Sequence, residues 1–266
     1  DRSELPSPFP PEWACARGQD QYGLWAAFEM RDIRQVMRWM RPGEFTMGSP
    51  PEEVVNRYED ETKHKVTLTE GFWLADTACT QELWTAVMGE NPSRFHHADE
   101  LPVENISWND CQEFLNKVNE SYKGLKLRLP TEAQWEYACR AGTDTPFSFG
   151  ENITTDEVNY NGNNPYSNDP KGKSRKKTVQ VKELPANQWG LYQMHGNVWE
   201  WCADWYGKYD VADKMNPVGP SSGEFRVLRG GSWADFGRNV RSAYRDWLDP
   251  GNRNGGDVGF RFSRGV

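Results

Sequence analysis

The side chains that could carry nucleophilic or metal chemistry are few in this chain of 266 residues. The cysteines are odd in number and far apart, namely Cys15, Cys79, Cys111, Cys139 and Cys202. Without a Cys-x-x-Cys pair they are typical of neither a disulfide framework nor a zinc site, and we expect reduced thiols. The histidines are His64, His96, His97 and His195. The adjacent pair lies in a polar segment that favours solvated side chains, and His195 has no evident partner for general-base work.

Composition narrows the classes of partner. The net charge of −8 argues against nucleic acid or an anionic membrane as the main partner. No apolar run approaches the roughly 20 residues that a membrane-spanning helix needs. Residues 1–14 are rich in Pro and contain neither a signal-peptide core nor an initiating Met, so we expect a trimmed chain and take a cytoplasmic monomer as the default. The basic run 171–177 lacks the P-loop spacing, which favours a solvated loop.

Short apolar and aromatic runs predict the strands that would position any site. Residues 22–30 and 33–40 are predicted to form a β-hairpin around Arg31-Asp32. The other strand candidates are 45–49, 65–69 and 72–75. Because no convincing linker follows residue 20, we expect an N-terminal arm at 1–19 and a single domain at 20–266.

Three helices have capping signals. Thr80 is predicted to cap residues 81–88, with Gly89 ending that helix. Ser107 begins a capping-box-like sequence before a helix that reaches Val118. A Thr-x-x-Gln box at Thr131 precedes the third helix, which extends to residue 141. Residues 147–185 are rich in Asn, Gly and Lys and are predicted to form a long loop.

Seven segments, in order within residues 20–262, together resemble the formylglycine-generating-enzyme (sulfatase-modifying-factor) family. They are Phe45–Ser49, Thr80–Trp84, Pro102–Trp108, Arg128–Ala138, Gly196–Trp201, Arg229–Trp233 and Gly259–Arg261. The resemblance implies an α+β fold, a C-type lectin fold of the formylglycine-generating-enzyme type, loop-rich with short strands and a few helices. It does not imply one function, because function depends on the site.

The oxidising members of this family use two cysteines that follow the Gly-Gly-Ser element to bind copper and attack a substrate cysteine. Here the corresponding stretch, residues 233–244, has no cysteine, and none follows Cys202. Ala, Phe or Asn cannot replace a thiolate as nucleophile or soft-metal ligand, so we expect no oxidase activity. A second branch, the sulfoxide synthases, takes its iron ligands from a His-x3-His-x-Glu pattern that this chain also lacks.

The resemblance also implies a calcium site. Oxygens around the family's Gly-Asn-x-Trp-Glu element bind the ion in the enzyme, and the corresponding residues are Gln193, Gly196, Val198 and Glu200. Gln193 replaces a shorter Asn or Asp, which should weaken a hard-cation site. A second site would begin at Asn159 and Tyr160 but lacks an acidic partner downstream. We expect no required cofactor; either calcium binds at the first site, or Glu200 makes a buried hydrogen bond.

Segment 230–262 resembles a third branch most closely, the variable proteins of diversity-generating retroelements. Their scaffold of Gly-Gly-Ser-Trp, Arg-Ser-Ala-x-Arg and Gly-Phe-Arg is interrupted by residues that adenine-specific mutagenesis rewrites. The targeted codons are typically AAC, and randomising both adenines gives NNC codons, which cannot encode Lys, Gln, Glu, Met or Trp. The segment contains no Lys, Gln, Glu or Met. Trp247 is not reachable in this way and must be fixed or come from another codon.

The interruptions and the unmutated asparagine candidates form a set that we call the predicted binding residues. They are Ala234, Asp235, Phe236, Asn239, Tyr244, Asp246, Trp247, Leu248, Asp249, Asn252, Asn254, Gly255, Gly256 and Asp257. If their aromatic and apolar members were exposed together, they would form a protein-binding patch. The members expected in this patch are Phe236, Tyr244, Trp247 and Leu248.

The scaffold residues should hold the backbone while the predicted binding residues vary. Those expected to act through packing and charge-assisted hydrogen bonds are Trp233, Arg241, Arg245, Arg253 and Phe260. The sequence thus predicts a non-catalytic, hypervariable module that binds a protein of unknown identity. Two alternatives stay open: a divergent oxidase with another centre, and an adaptor domain of a larger signalling protein.

Overall fold

The computed structural model describes residues 5–53, 60–98, 100–167, 169–212 and 215–265. The strands of these residues are β1 (Ala16–Asp20), β2 (Gly23–Met30), β3 (Ile33–Met40), β4 (Gly43–Met47), β5 (His64–Leu68), β6 (Phe72–Ala75), β7 (Trp199–Trp205), β8 (Arg226–Arg229), β9 (Arg245–Leu248), β10 (Val258–Gly259) and β11 (Ser263–Gly265). The helices are α1 (Gln81–Met88), α2 (Trp108–Ser121) and α3 (Glu132–Arg140). A 3₁₀ turn spans Gly237–Val240.

The strands form three sheets. The largest is antiparallel, in the order β1-β2-β3-β6-β11, so the last strand of the chain closes against strands from its beginning. A second sheet has the order β10-β7-β8-β9, with β10 parallel to β7 and β9 at the edge. The third pairs β4 with β5. The predicted loop-rich α+β architecture is confirmed, and the hairpin is β2-β3.

The helices begin where their capping residues predict. The Thr80 side chain accepts a hydrogen bond from the Leu83 amide, and α1 ends at Gly89 in the left-handed region, with φ 88°. Full capping boxes start α2 at Ser107 and α3 at Thr131. Among the described residues, no helix is long and apolar enough to cross a membrane.

Strand β1 departs from the predicted arm at 1–19, of which residues 1–4 lie outside the described part of the chain. Ala16–Asp20 pairs in register with β2, from Ala16 opposite Ala27 to Asp20 opposite Gly23. The Asp20 carboxylate accepts the Tyr22 amide at the turn. The prediction missed this strand because an edge strand with polar, largely exposed side chains has no hydrophobic period.

The core is rich in aromatic side chains and packs against the sheet that contains β9. Trp73, Trp135 and Trp201 are fully buried, one each from β6, α3 and β7. One apolar cluster lies between the largest sheet and helices α1 and α2, and another lies between α3, the β4-β5 pair and β8. The sheet that contains β9 is therefore held on rigid, packed elements.

Candidate functional site

Helix α3 is tied to the C-terminal segment by buried ion pairs. Arg229 lies against Glu136 and, at 3.5 Å, against Glu132. Arg245 makes a two-pronged pair with Glu132, Nε to Oε1 at 2.6 Å and Nη2 to Oε2 at 2.9 Å. Burial alone would raise the pKa of Glu132, but the two guanidinium groups outweigh it and hold that pKa below its ordinary value. These contacts fix β8 and β9 against α3.

Two further buried arginines complete this scaffold. Arg241 donates to Glu61 at 2.8 Å and to Glu53 at 2.6 Å. Arg261 donates from Nε and Nη2 to the two carboxylate oxygens of Glu200 at 2.6 and 2.8 Å. Such charge-assisted, two-pronged contacts carry geometric specificity. We call these four arginines, 229, 241, 245 and 261, with their glutamates, the buried arginine network.

The other predicted anchors differ in exposure. Phe260 is fully buried in the aromatic core. Trp233 is half-buried, and its Nε1 donates to the carbonyl of Gly256 at 2.7 Å. Arg253 pairs with Asp110 of the α2 capping box at 2.7 Å, but its side chain is 53% exposed. Arg253 therefore lies outside the buried network.

The predicted binding residues have three levels of exposure. The exposed members are Ala234, Phe236, Trp247, Asp249, Asn252, Asn254 and Gly255. The half-buried members are Asp235, Asn239, Asp246, Leu248 and Asp257. The buried members are Tyr244 and Gly256. All but these two reach the surface, around the edge strand β9 and the loops on either side of it.

The expected aromatic-apolar patch does not form as predicted. Tyr244 is only 7% exposed, and its ring lies 5.9 Å from that of Trp199. Side chains alternate along β9, so Trp247 shares a face with Arg245 and is directed away from the face of Tyr244. Its ring lies 4.2 Å from that of Phe225. Tyr244 is thus a core residue, and the pleat of the strand separates it from Trp247.

Three of the predicted binding residues carry carboxylates that repel one another. Burial and the charges of Asp235 and Glu104 raise the pKa of Asp257 to about 7. Burial also raises the pKa of Asp246, and the charge of Asp235 adds to this rise. Within the described part of the chain, none of these aspartates forms a salt bridge with a Lys or Arg. These charges are therefore unpaired.

The cysteines provide no reactive thiolate at this surface. Burial raises the pKa of four thiols, which keeps them protonated; they belong to Cys79, Cys111, Cys139 and Cys202. Cys15 is exposed, at the start of the largest sheet. Across the described ranges, no group of three or more His, Cys, Asp and Glu is placed to hold a metal ion.

His195 is a buried structural side chain. Its Nδ1 lies 2.8 Å from the Val240 carbonyl, and the Ser148 amide donates to its Nε2 at 3.1 Å. These contacts assign a neutral ring with its proton on Nδ1. Burial lowers the pKa of His195 to about 4, which keeps the ring neutral at physiological pH. Both ring nitrogens are occupied, so no general base is available here.

Among the residues expected to bind calcium, the only carboxylate, that of Glu200, is committed to other partners. Arg261 occupies both Glu200 oxygens, and the indole of Trp135 donates to one of them at 2.7 Å. The Gly196 carbonyl accepts the Val198 amide at 2.9 Å. The buried Oε1 of Gln193 has no hydrogen-bond partner, but a single neutral oxygen is a poor site for Ca²⁺. The arrangement does not fit the ion, and the buried-hydrogen-bond alternative describes Glu200 well.

Several residues that lie near Asp257 gave no functional signal in the sequence. Glu104 is fully buried, and its Oε1 accepts the amides of Arg94 and Phe95 at 2.7 and 2.8 Å. The ring of Phe95 lies edge-on to Trp233 at 5.6 Å. These residues precede the C-terminal segment by more than a hundred positions, so only the tertiary fold brings them to Asp257.

A loop-rich α+β domain with this sheet order is a C-type lectin fold of the formylglycine-generating-enzyme type. The chain belongs to the family of the sulfatase-modifying factor enzyme 1-like domain, whose model matches residues 26–266. Treponema denticola variable protein 1 has the same fold, with a TM-score of 0.77 and 29% identity over 90% of this chain and 98% of that protein. PvdO from Pseudomonas aeruginosa, with a TM-score of 0.73 and 24% identity over 95% of this chain and 99% of PvdO, supports the fold alone.

Curated relatives include enzymes of this family and larger proteins. The formylglycine-generating enzyme of Mus musculus is 32% identical over 74% of this chain and 52% of the enzyme. The serine/threonine-protein kinase pkn1 of Chlamydia caviae is 37% identical over 62% of this chain and 24% of the kinase. The chain thus spans about half, or less, of the length of these relatives.

Proposed function

We propose that the chain is a non-catalytic module that binds a protein ligand through a diversified C-terminal surface. One observation carries the proposal: no side chain of the predicted binding residues takes part in the ion pairs of the buried arginine network. The fold is therefore anchored by one set of side chains, while the exposed members of another set are left free to vary. A surface that changes from copy to copy needs this separation.

The comparisons support this proposal at the level of family. Treponema denticola variable protein 1 matches nearly the whole of this chain, and its name agrees with the resemblance to the variable proteins of retroelements. The absence of Lys, Gln, Glu and Met from 230–262 agrees with NNC codons. The missing cysteines remove the residues that oxidase chemistry requires.

The coding DNA tests the source of diversity. We expect NNC codons at the reachable predicted binding residues, and a near-copy of this segment that differs only at adenines, beside a reverse transcriptase gene. Codons that do not end in C at these positions, with no near-copy at the locus, would refute retroelement diversification and leave the fold unchanged.

The protein tests whether the surface is free to vary. Exposed members such as Phe236, Asn252 and Asn254 can be replaced together by other NNC-encoded residues. We expect the free energy of unfolding to change by less than about 1 kcal/mol, because these side chains are not part of the core. Unfolding of such a multiple variant would show that the segment is structural and would contradict the proposal.

An oxidase is the second candidate, since the family includes the mouse formylglycine-generating enzyme. It would need a centre other than the paired cysteines. We expect purified protein neither to bind copper stoichiometrically nor to convert a cysteine-containing peptide. Conversion that persists after Cys15→Ser, and that is lost on copper removal, would overturn the non-catalytic assignment.

An adaptor role is compatible with ligand binding. In the kinase pkn1 the matched region is only 24% of the protein, so a domain of this family occurs there as part of a larger chain. The full gene of the present protein decides between a free binding module and an adaptor domain.

A further inference from the structure

The centre of the predicted binding surface contains carboxylates that form no salt bridge among the described residues. Asp257 lies directly before β10, and its carbonyl accepts the amide of Trp199 at 2.8 Å. One of its carboxylate oxygens, Oδ1, is buried and has no hydrogen-bond partner. Asp235 is half-buried, and its Oδ2 accepts the amide and hydroxyl of Ser232 at 2.9 and 2.6 Å. Its charge raises the pKa of Asp257.

Glu104 adds a buried carboxylate beneath them. Its side chain is fully buried, and Oε2 has no hydrogen-bond partner, whereas Oε1 accepts two backbone amides. A chain of contacts leads from Glu104 to Asp257: the Phe95 amide donates to Glu104, the Phe95 ring lies against Trp233, and Trp233 donates to the carbonyl of Gly256, the residue before Asp257. A buried, unpartnered carboxylate oxygen costs free energy unless a cation or donor reaches it.

Aromatic rings stand beside these carboxylates. The hydrogen bond from Trp233 Nε1 to the Gly256 carbonyl fixes the indole next to Asp257. Phe95 is half-buried and lies edge-on to Trp233. A cation close to carboxylates and over an indole face is stabilised both by charge and by the ring quadrupole. Arg94 lies 5.4 Å above the Phe95 ring, and its charge offsets part of the rise in the pKa of Asp257 and of Glu104, but it forms no salt bridge with either carboxylate among the described residues.

We propose that Asp235, Asp257 and Glu104, with the rings of Trp233 and Phe95, form a subsite for a cationic side chain. This proposal rests on the proposed function of the surface and names the ligand's chemistry: a protein that presents a lysine or arginine. Charge complementarity favours this occupant, because the three carboxylates lack salt bridges within the described residues. No lysine or arginine occurs among the predicted binding residues themselves.

A hexalysine peptide tests the subsite, with Asp257→Asn as the principal variant. Asparagine keeps the shape and removes the charge, so we expect the affinity of the peptide to fall by about tenfold, the loss for one charge-assisted contact. Asp249→Asn is the matched control, because Asp249 is exposed on the same segment and outside the subsite. We expect less than a twofold loss there. Equal losses in the two variants would show attraction by net charge only and would overturn the proposal.

A second variant tests whether the indole of Trp233 contributes to the binding of the cation. Trp233→Phe keeps an aromatic ring but removes the indole N–H and the larger indole face, and we expect weaker hexalysine binding with an unchanged circular dichroism spectrum. Binding of Ca²⁺ alone that depends on Asp257 would instead identify a metal site. If the locus carries the near-copy and reverse transcriptase but hexalysine binding ignores Asp257, the subsite is wrong and the proposed function stands. If hexalysine binding depends on Asp257 but the locus lacks both the near-copy and the reverse transcriptase, the subsite stands and retroelement diversification is wrong.

Discussion

Arg245 and Asp246 are neighbours on strand β9, yet their charges have opposite surroundings. Arg245 is buried and paired with Glu132 through two hydrogen bonds. Asp246 is half-buried, has no salt bridge within the described residues, and feels the repulsion of Asp235. The alternation of the strand directs the first side chain to α3 and the second to the other face. The side chain of Arg245 therefore stabilises the fold, whereas that of Asp246 leaves an unpaired charge that a ligand could neutralise.

The largest expected effect comes from breaking a buried pair. Arg261→Met leaves the carboxylate of Glu200 buried without its cation, and we expect a loss of about 3–5 kcal/mol in the free energy of unfolding. Urea denaturation followed by tryptophan fluorescence measures it. The matched control is Arg253→Met, which removes an equally short but exposed pair and should cost at most about 1 kcal/mol. Similar losses in both variants would remove the distinction between buried and exposed arginines.

Tyr244 and Trp247 extend the comparison from charged to aromatic side chains, one buried and one exposed. Tyr244→Ala should cost about 3 kcal/mol, because the side chain is buried against Trp199. Trp247→Ala should cost roughly 1 kcal/mol, because 44% of that side chain is already exposed. Thermal and urea unfolding measure both. A greater loss for Trp247 than for Tyr244 would contradict the assignment of Tyr244 to the core.

Removing the charge of Asp257 should stabilise the protein, whereas removing a charge from the buried arginine network should destabilise it. The pKa of Asp257 is raised from 3.8 to about 7, so its ionisation opposes folding. Below about pH 3 the group is protonated in both states and has no effect; the penalty grows as pH rises and is complete above pH 7. Since the side chain is half-buried and partly screened by solvent, we expect Asp257→Asn to gain about 1–2 kcal/mol at pH 8.

The pH dependence is the critical readout for Asp257→Asn. Unfolding at several pH values should show the gain at pH 8 and none near pH 3, while Asp249→Asn gives no comparable trend. A loss of stability at pH 8, or a gain that is independent of pH, would mean that the charge of Asp257 is neutralised within the fold.

Calcium should have the smallest effect. Because Glu200 is occupied by Arg261 and Trp135, we expect the melting temperature to stay the same after chelation and after addition of CaCl₂. Differential scanning calorimetry measures this. A concentration-dependent rise in the melting temperature, lost in Gln193→Ala, would restore the family's calcium site.

Much of the fold could be predicted from local signals. Thr80, Ser107 and Thr131 determine helix starts, because each satisfies amides that the first turn leaves unpaired. Strand β6 was predicted at its observed bounds from its apolar run. Strand β1 was missed, since its polar residues owe their conformation to pairing with β2.

The sequence by itself determined which residue types are present: no cysteine after Cys202, several arginines in the C-terminal scaffold, and a segment compatible with NNC codons. The tertiary structure decided which of those charges are paired. Glu132, Glu61 and Glu200 come from distant parts of the chain to meet the arginines, and Glu104 comes near Asp257 without forming a salt bridge among the described residues. Pairing and burial depend on contacts between residues 61 to 180 positions apart, and a local pattern contains no record of such contacts. The same dependence placed Tyr244 in the core and left Trp247 at the surface.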